Sequence, residues 1–246
     1  MRSVLLSLTL AMACSGAIIT YEGHDAGARP DDPRPNSDLA RSNFLAAVAA
    51  ANPFTLNFES IPVQYSNSIN LTTMTLFQIG TENDVNAGVT DVAGDRFLGY
   101  NTTSGGSRFL RIVPQFNIGT AGARLVFNSP VEFFGAYFTG LGSAAGNLTV
   151  EFDNGDPTGP FAFPVVGGLT GGVNYFGFTT FGAPISEVKM VLRGVFGSRD
   201  IYSIDDITTS LEARIPGEVP EPATYALMAA GLGCLAYLRR KRAQAS

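Results

Sequence analysis

The sequence predicts an all-β chain: a β-sandwich, jelly-roll-like, with one short N-terminal helix and a C-terminal transmembrane helix. Three observations carry this. Short runs of alternating apolar and polar residues, rich in β-branched and aromatic side chains, succeed one another with no helical period between them. Gly, Asn, Asp and Pro punctuate these runs, and most of the 28 glycines fall between runs, not inside them. Both chain ends carry apolar stretches of a different kind, bordered by charge or proline, that do not belong to a sandwich core.

The first stretch begins after Arg2 and spans 4–13. Small residues come next, and Ser15-Gly16-Ala17 fits the small-x-small rule for cleavage after Ala17, so 1–17 is expected to be a secretory signal removed by signal peptidase. Ala11-Met12-Ala13 is a second candidate cleavage site, and Cys14 admits a lipoprotein alternative that Met12 fits poorly. Residues 21–36 hold Gly, Pro and Asp without a periodic apolar face and predict a loop or extended arm. Ser37 is a good helix N-cap with Asp38 in the first turn. Leu39, Phe44, Leu45 and Val48 then predict a short amphipathic helix to about Ala51, ended by Asn52-Pro53.

Strands are expected over 54–59, 69–79, 109–113, 124–127, 132–138, 148–152, 161–166, 173–180, 188–193 and 202–208. Asp153-Asn154-Gly155-Asp156 is a tight-turn signal. No internal repeat and no second core is visible, so 18–214 reads as one β-sandwich domain, with a linker over 215–219.

The chain end has three parts. Pro220, Glu221 and Pro222 cannot lie inside a helix and separate the body from the terminal segment. The run 223–238 has no group that charges at neutral pH, and as a helix it reaches about 24 Å against a hydrocarbon core of roughly 30 Å. Arg239, Arg240, Lys241 and Arg242 come after it, and such a cluster stays on the cytoplasmic side. An exported N-terminus and a retained basic C-terminus place the body outside the inner membrane, with the precursor held by its C-terminal helix.

The order of these parts resembles the PEP-CTERM sorting signal of Gram-negative bacteria. The resemblance rests on Pro220-Glu221-Pro222, the run 223–238 and the cluster Arg239, Arg240, Lys241 and Arg242. It implies an exosortase as partner, cleavage near the Pro-Glu-Pro, and a mature form attached at the cell surface or released. Because such proteins are associated with exopolysaccharide or biofilm production, it also implies a non-enzymatic surface or matrix role. The body is similar, more loosely, to exported PEP-CTERM proteins with jelly-roll bodies, through Phe58-Glu59, Phe134-Gly135-Ala136-Tyr137, Phe176-Gly177-Phe178, Pro184-Ile185-Ser186 and Ile204-Asp205-Asp206-Ile207. Closing Asp-Asp-Ile strands also occur in carbohydrate-binding jelly rolls, where an acidic residue can hold a structural calcium. That resemblance makes Glu59, Asp205 and Asp206 candidate Ca²⁺ ligands.

Composition narrows the chemistry. Of 16 basic and 21 acidic residues, setting aside Arg2, the four tail cations and Glu221 leaves a body of 11 basic and 20 acidic residues, a charge of −9 that disfavours nucleic acid. Both cysteines, Cys14 and Cys234, lie in the terminal segments, so the body has neither a disulfide nor a cysteine nucleophile. His24 is the only histidine and sits in the predicted arm, which leaves no His-based zinc site or serine triad in prospect. Adjacent Asp205 and Asp206 in a regular strand face opposite sides and do not by themselves form a glycosidase pair. A carbohydrate-binding module stabilised by calcium and a polysaccharide hydrolase remain the alternatives. The absence of Trp leaves Tyr65, Tyr100, Tyr137 and Tyr175 as the aromatic platforms a sugar-binding sheet would use, while most of the 18 Phe are expected in the core.

Overall fold

The structure is a computed structural model and describes residues 18–79, 87–113, 121–142, 148–153, 160–165, 170–180, 183–192 and 201–210. Two antiparallel sheets face each other. The larger, eight-stranded sheet runs β1 (Ile19–Ala26), β12 (Gly172–Thr179), β9 (Phe133–Thr139), β14 (Tyr202–Ser210), β7 (Phe109–Ile112), β6 (Ala87–Thr90) and β3 (Gln64–Tyr65), with β2 (Pro53–Leu56) also paired to β14. The six-stranded sheet runs β11 (Phe161–Pro164), β10 (Leu148–Phe152), β13 (Ile185–Leu192), β8 (Ala121–Val131), β5 (Met74–Ile79) and β4 (Ser68–Asn70). From β8 onward the chain passes back and forth between the sheets.

Strand alternation sorts the side chains. On β9, Phe134, Ala136 and Phe138 enter the core between the sheets, whereas Phe133 and Tyr137 point outward. β12 does the same, with Phe176 and Phe178 inward and Val173 and Tyr175 outward. The inward rings meet those of the opposite sheet: Phe152 stacks on Phe178 with centroids 3.9 Å apart and planes 9° from parallel.

The outward aromatics are covered by the helix α1 (Pro35–Val48), which makes a second apolar cluster on the outer face. Ser37, Ala40, Phe44 and Val48 are its buried stripe. Leu39, expected on that stripe, is 61 % exposed, out of step with the three- and four-residue spacing of Ser37, Ala40, Phe44 and Val48, and the helix itself starts at Pro35, two residues before Ser37. Ser37 is therefore not the cap. Its hydroxyl donates to the Gly23 and Val173 carbonyls, and the capping is done from a distance by Asp25. The Asp25 carboxylate accepts the Asn36 and Ser37 N–H groups at 3.1 and 2.8 Å. Burial works to raise the Asp25 pKa, but these Ser37 and Asn36 hydrogen bonds outweigh it and hold the carboxyl below its usual value.

Phe44 explains two glycines. Gly135 and Gly177 are register partners on β9 and β12 and form a shallow groove under the ring. A methyl group at Gly135 meets Phe44 Cε1 at 2.9 Å and the Tyr175 hydroxyl at 2.3 Å. The ring itself contacts Tyr21, Phe133 and Tyr175 at centroid distances of 5.6, 6.0 and 5.9 Å.

Three expectations about elements change. Residues 21–26, part of the segment expected as a loop or extended arm, belong to the edge strand β1, which is paired along its length with β12. The single run 69–79 folds back on itself as β4 and β5, with Leu71 N–H bonded to the Met74 carbonyl at 2.8 Å. β3 and β6, two and four residues long, add to the expected strands. Segments 1–17 and 223–238, together with Pro220, Glu221, Pro222, Arg239, Arg240, Lys241 and Arg242, lie outside the described residues. Among the described residues no helix is long and apolar enough to cross a membrane.

Gly135→Ala is expected to destabilise the body by about 1–3 kcal/mol, because overpacking against Phe44 outweighs the roughly 0.5–1 kcal/mol that Ala gains over Gly in a strand. Urea unfolding of Gly135→Ala, Phe44→Leu and the double variant checks this, and the two losses should be less than additive because the smaller side chain makes room.

Candidate functional site

The functional candidates gather on the outer face of β14, the strand at the centre of the larger sheet. One edge of β14 pairs with β9 on both sides of a bulge, but its other edge is divided: 202–204 pair with β7 and 207–210 with β2. The bulge lies at this division. Asp205 pairs with Tyr137 and Thr208 with Gly135, and Asp206 takes a left-handed backbone with φ 49°. The bulge slips the apolar phase by one residue, so the core takes Tyr202, Ile204 and then Ile207. Asp205 and Asp206 therefore do not face opposite sides as a regular strand requires. Both reach the same loop, 100–108.

This loop is held at two points. The Asp205 Oδ2 accepts Thr102 N–H at 2.6 Å, the Thr102 hydroxyl at 2.9 Å and Thr103 N–H at 3.2 Å, while its Oδ1 accepts Asp206 N–H at 2.9 Å. The Asp206 Oδ1 accepts the Thr103 hydroxyl at 2.8 Å. At the other end Glu59 Oε1 accepts Asn101 Nδ2 at 2.8 Å and the Ser107 and Arg108 N–H groups at 3.0 Å each. Glu59 is aimed there by Phe58, whose ring is fully buried and whose φ of 61° turns the chain directly after β2. Tyr100 closes the base of the loop by exchanging hydrogen bonds with the Thr139 hydroxyl and donating its own hydroxyl to the Ala28 carbonyl.

These partners decide what the three carboxylates do. Glu59, Asp205 and Asp206 all receive N–H or O–H groups of the chain, so their oxygens are engaged in holding the loop. A calcium site needs oxygen atoms turned toward a shared cation. Among the described residues no group of three or more His, Cys, Asp or Glu is placed to share a metal ion, and Glu59, Asp205 and Asp206 each accept hydrogen bonds from the chain.

Between α1, the loop and β2 lies a polar cleft of about 640 Å³, lined by Arg34, Asp38, Arg41, Asn57, Thr103 and Ser104 among others. Its charges are matched in pairs. Arg34 Nε meets Asp38 Oδ1 at 3.2 Å, and Arg41 Nη2 meets Asp206 Oδ2 at 3.6 Å. Arg34 also donates to the Thr102 carbonyl at 2.6 Å. Both guanidinium groups lie over the Tyr137 ring, at 4.8 and 5.7 Å, and the Tyr137 hydroxyl donates to Asp38. Burial and the Asp38 contact raise the Tyr137 pKa. Of the four tyrosines that the sequence offers as platforms, Tyr100, Tyr137 and Tyr175 are buried beneath α1 and the loop, and Tyr65 on β3 is exposed. His24 is not in a loop but on β1, opposite Asn174.

The sequence pointed to Glu59, Asp205 and Asp206 but not to the loop that joins them. A signal existed: Tyr202, Ile204 and Ile207 break the two-residue spacing of a strand, which is how a bulge reads in sequence. The run Asn101-Thr102-Thr103-Ser104-Gly105-Gly106 is a dense turn signal beside it.

Compared with known sequences, residues 218–242 match the PEP-CTERM protein-sorting motif. This chain carries a PEP-CTERM sorting signal. The motif is the recognition signal of exosortase and marks an exported protein. No curated protein matches the sequence. Among solved structures, the chain is similar to the K2 cleaved adhesin domain of Lys-gingipain, with TM-score 0.41 and 14 % identity over 64 % of this chain and 98 % of that one. It is also similar to the K1 cleaved adhesin domain of Lys-gingipain from Porphyromonas gingivalis W83 (TM-score 0.38, 11 % identity, 64 % and 97 % covered). A third is the family 11 carbohydrate-binding module from Clostridium thermocellum in complex with a mixed-linked tetrasaccharide (TM-score 0.34, 7 % identity, 65 % and 98 % covered). Likeness at this level carries no activity or ligand across.

Burial, reinforced by the neighbouring Asp206 charge, pushes the Asp205 carboxyl up to about 7 from 3.8, and the Thr102 and Asp206 hydrogen bonds only partly offset it. Between these values the folded chain keeps a proton that the unfolded chain has released, so this group makes stability fall as pH rises from about 4 to 7. Urea unfolding at several pH values across that range checks it: Asp205→Asn should show a shallower fall than the parent, and equal slopes would refute the assignment. Adding or chelating Ca²⁺ should leave the melting temperature of the parent unchanged.

Proposed function

We propose that the chain is a non-enzymatic exported protein of the cell surface or extracellular matrix, sorted through its C-terminal signal and associated with exopolysaccharide. The observation that carries this reading is the sorting motif at 218–242 behind an all-β body. In the proposed route, signal peptidase removes 1–17 and the run 223–238 holds the precursor in the inner membrane. The cluster Arg239, Arg240, Lys241 and Arg242 fixes its orientation, and exosortase acts at Pro220, Glu221 and Pro222. The body is then left at the surface or released.

The geometry of the body supports a binding or scaffolding role over catalysis. A glycosidase needs two carboxyl groups converging on one bond, one of them able to deliver a proton. Asp205 is 1 % exposed and accepts four hydrogen bonds, and Glu59 is committed to Asn101, Ser107 and Arg108. These carboxylates act as braces for a loop. The calcium-stabilised alternative has no ligand set at Glu59, Asp205 and Asp206 to support it.

Deleting 220–246, or removing the exosortase from the host, should change both the size of the protein and the cell fraction that holds it. Mass spectrometry of the mature protein reads the new termini and any attached group. Identical mass and location in the altered and parent strains would sink the sorting route.

A further inference from the structure

We propose that a slot at the open edge of the sandwich, between β1 and β11, binds a neutral sugar ring. The proposal rests on the exported, polysaccharide-associated reading above for its choice of ligand. β1 ends the eight-stranded sheet and β11 ends the six-stranded one. Between them lies a cavity of about 270 Å³, lined by Glu22, His24, Pro164, Val165, Asn174 and Phe176 among others. In the register of β1 with β12, His24 stands opposite Asn174 and Glu22 opposite Phe176. Phe176 points into the core between the sheets, so Asn174, Glu22 and His24 are on the same, inward side of the sheet.

Asn174 is the observation that needs an explanation. It is 2 % exposed, and neither its Nδ2 nor its Oδ1 has a hydrogen-bond partner. Its cross-strand neighbour His24 also has a buried Nδ1 without a partner. A buried amide left unpaired is costly, and such groups in native proteins mark strain, a bound water or a ligand. Two of them side by side on the wall of one cavity point to a ligand that supplies both donors and acceptors.

The lining selects its class. The Asn174 amide presents an acceptor and a donor on one plane, which suits two adjacent hydroxyl groups, each able to give and to take a hydrogen bond. Phe176, Val165 and Pro164 offer apolar surface to the C–H face of a ring. Glu22 at the mouth is exposed and repels anions, and among the described residues no Lys or Arg lines the slot. The cavity is smaller than the roughly 300–1,000 Å³ of pockets for drug-sized ligands, so it takes one ring or a chain end, not a long stretch of polymer.

The test uses the full-length protein in detergent, with D-glucose, D-galactose, D-mannose, N-acetyl-D-glucosamine and the anion D-glucuronate as probes, read by saturation-transfer NMR and calorimetric titration. At least one neutral sugar should bind saturably, and glucuronate should bind at least about tenfold more weakly. Asn174→Leu should lower the affinity for that sugar at least about tenfold while leaving the urea midpoint unchanged or raising it, because an orphaned amide is replaced by apolar atoms of similar volume. A fall in the midpoint would mean that Asn174 serves the fold through a bound water, and would overturn the proposal. Glu22→Gln, on the exposed rim, should narrow the gap between glucuronate and the neutral sugar without unfolding the chain. No saturable binding of any neutral sugar up to about 10 mM, or equal binding by parent and Asn174→Leu, would also overturn it. Failure here with intact sorting leaves the export reading standing, and intact binding by a chain that is never exported would remove the export reading alone.

Discussion

The outer face of the larger sheet depends on one buried carboxylate at a bulge. β14 is the only described strand that pairs with three others, and its backbone is left without a strand partner where β7 stops and β2 has not begun. A gap in the ladder of a buried central strand leaves polar backbone to be satisfied. Asp205 closes it from the side chain, drawing in Thr102 and Thr103 so that a loop substitutes for the missing strand. The cost is a carboxylate held in low dielectric beside a second one, and Arg41 moderates it through Asp206. Because Arg41 belongs to α1, the same bracing connects the helix, the loop and the sheet.

The helix seam depends on the same face. Tyr137 lies under Arg34 and Arg41 and bonds to Asp38, so the sheet aromatics hold the polar side of α1 while Phe44 sits in the Gly135–Gly177 groove on its apolar side. At the helix start, Asp25 of β1 supplies the negative charge that both the free N–H groups and the helix dipole favour. The outer layer is thus fixed by polar contacts along the first half of α1 and by packing of Phe44 against small residues in the second, and this leaves its tyrosine rings shielded from solvent.

How far the sequence could be read depended on what set each element. Strands fixed by their own alternation, such as β10, were legible to the residue, because Leu148, Val150 and Phe152 declare the buried face. β1 was not, because its partners on β12 define it: Tyr21-Glu22-Gly23-His24-Asp25 has no apolar stripe of its own, and Gly and Asp favour loops in isolation. The turn between β4 and β5 was hidden since Thr72 and Thr73 read as strand formers. At the candidate site the acidic residues were visible as types, but their roles came from a long-range partner. Nothing local ties Glu59 to Ser107 or Asp205 to Thr102, which are 48 and 103 residues apart in sequence. The sorting motif was fully legible, as its information is linear: prolines, an apolar run and a cationic cluster in order.

The cleft beneath α1 and the slot at the sandwich edge differ in a way that bears on recognition. In the cleft beneath α1 the protein answers most of its own charge: each guanidinium has a carboxylate and each of those carboxylates has a hydroxyl donor, with Arg41 Nε left unpaired. A ligand entering there has mostly to displace bonds already made, so affinity is reduced by what is broken. At the sandwich edge the reverse holds, since Asn174 and His24 keep polar atoms that the fold leaves unpaired. A ligand there adds bonds without breaking any, and gains most where water is already excluded by Phe176 and Val165. Unsatisfied polarity next to packed apolar surface, more than the size of a cavity, is what separates a place built to hold itself from a place able to hold something else.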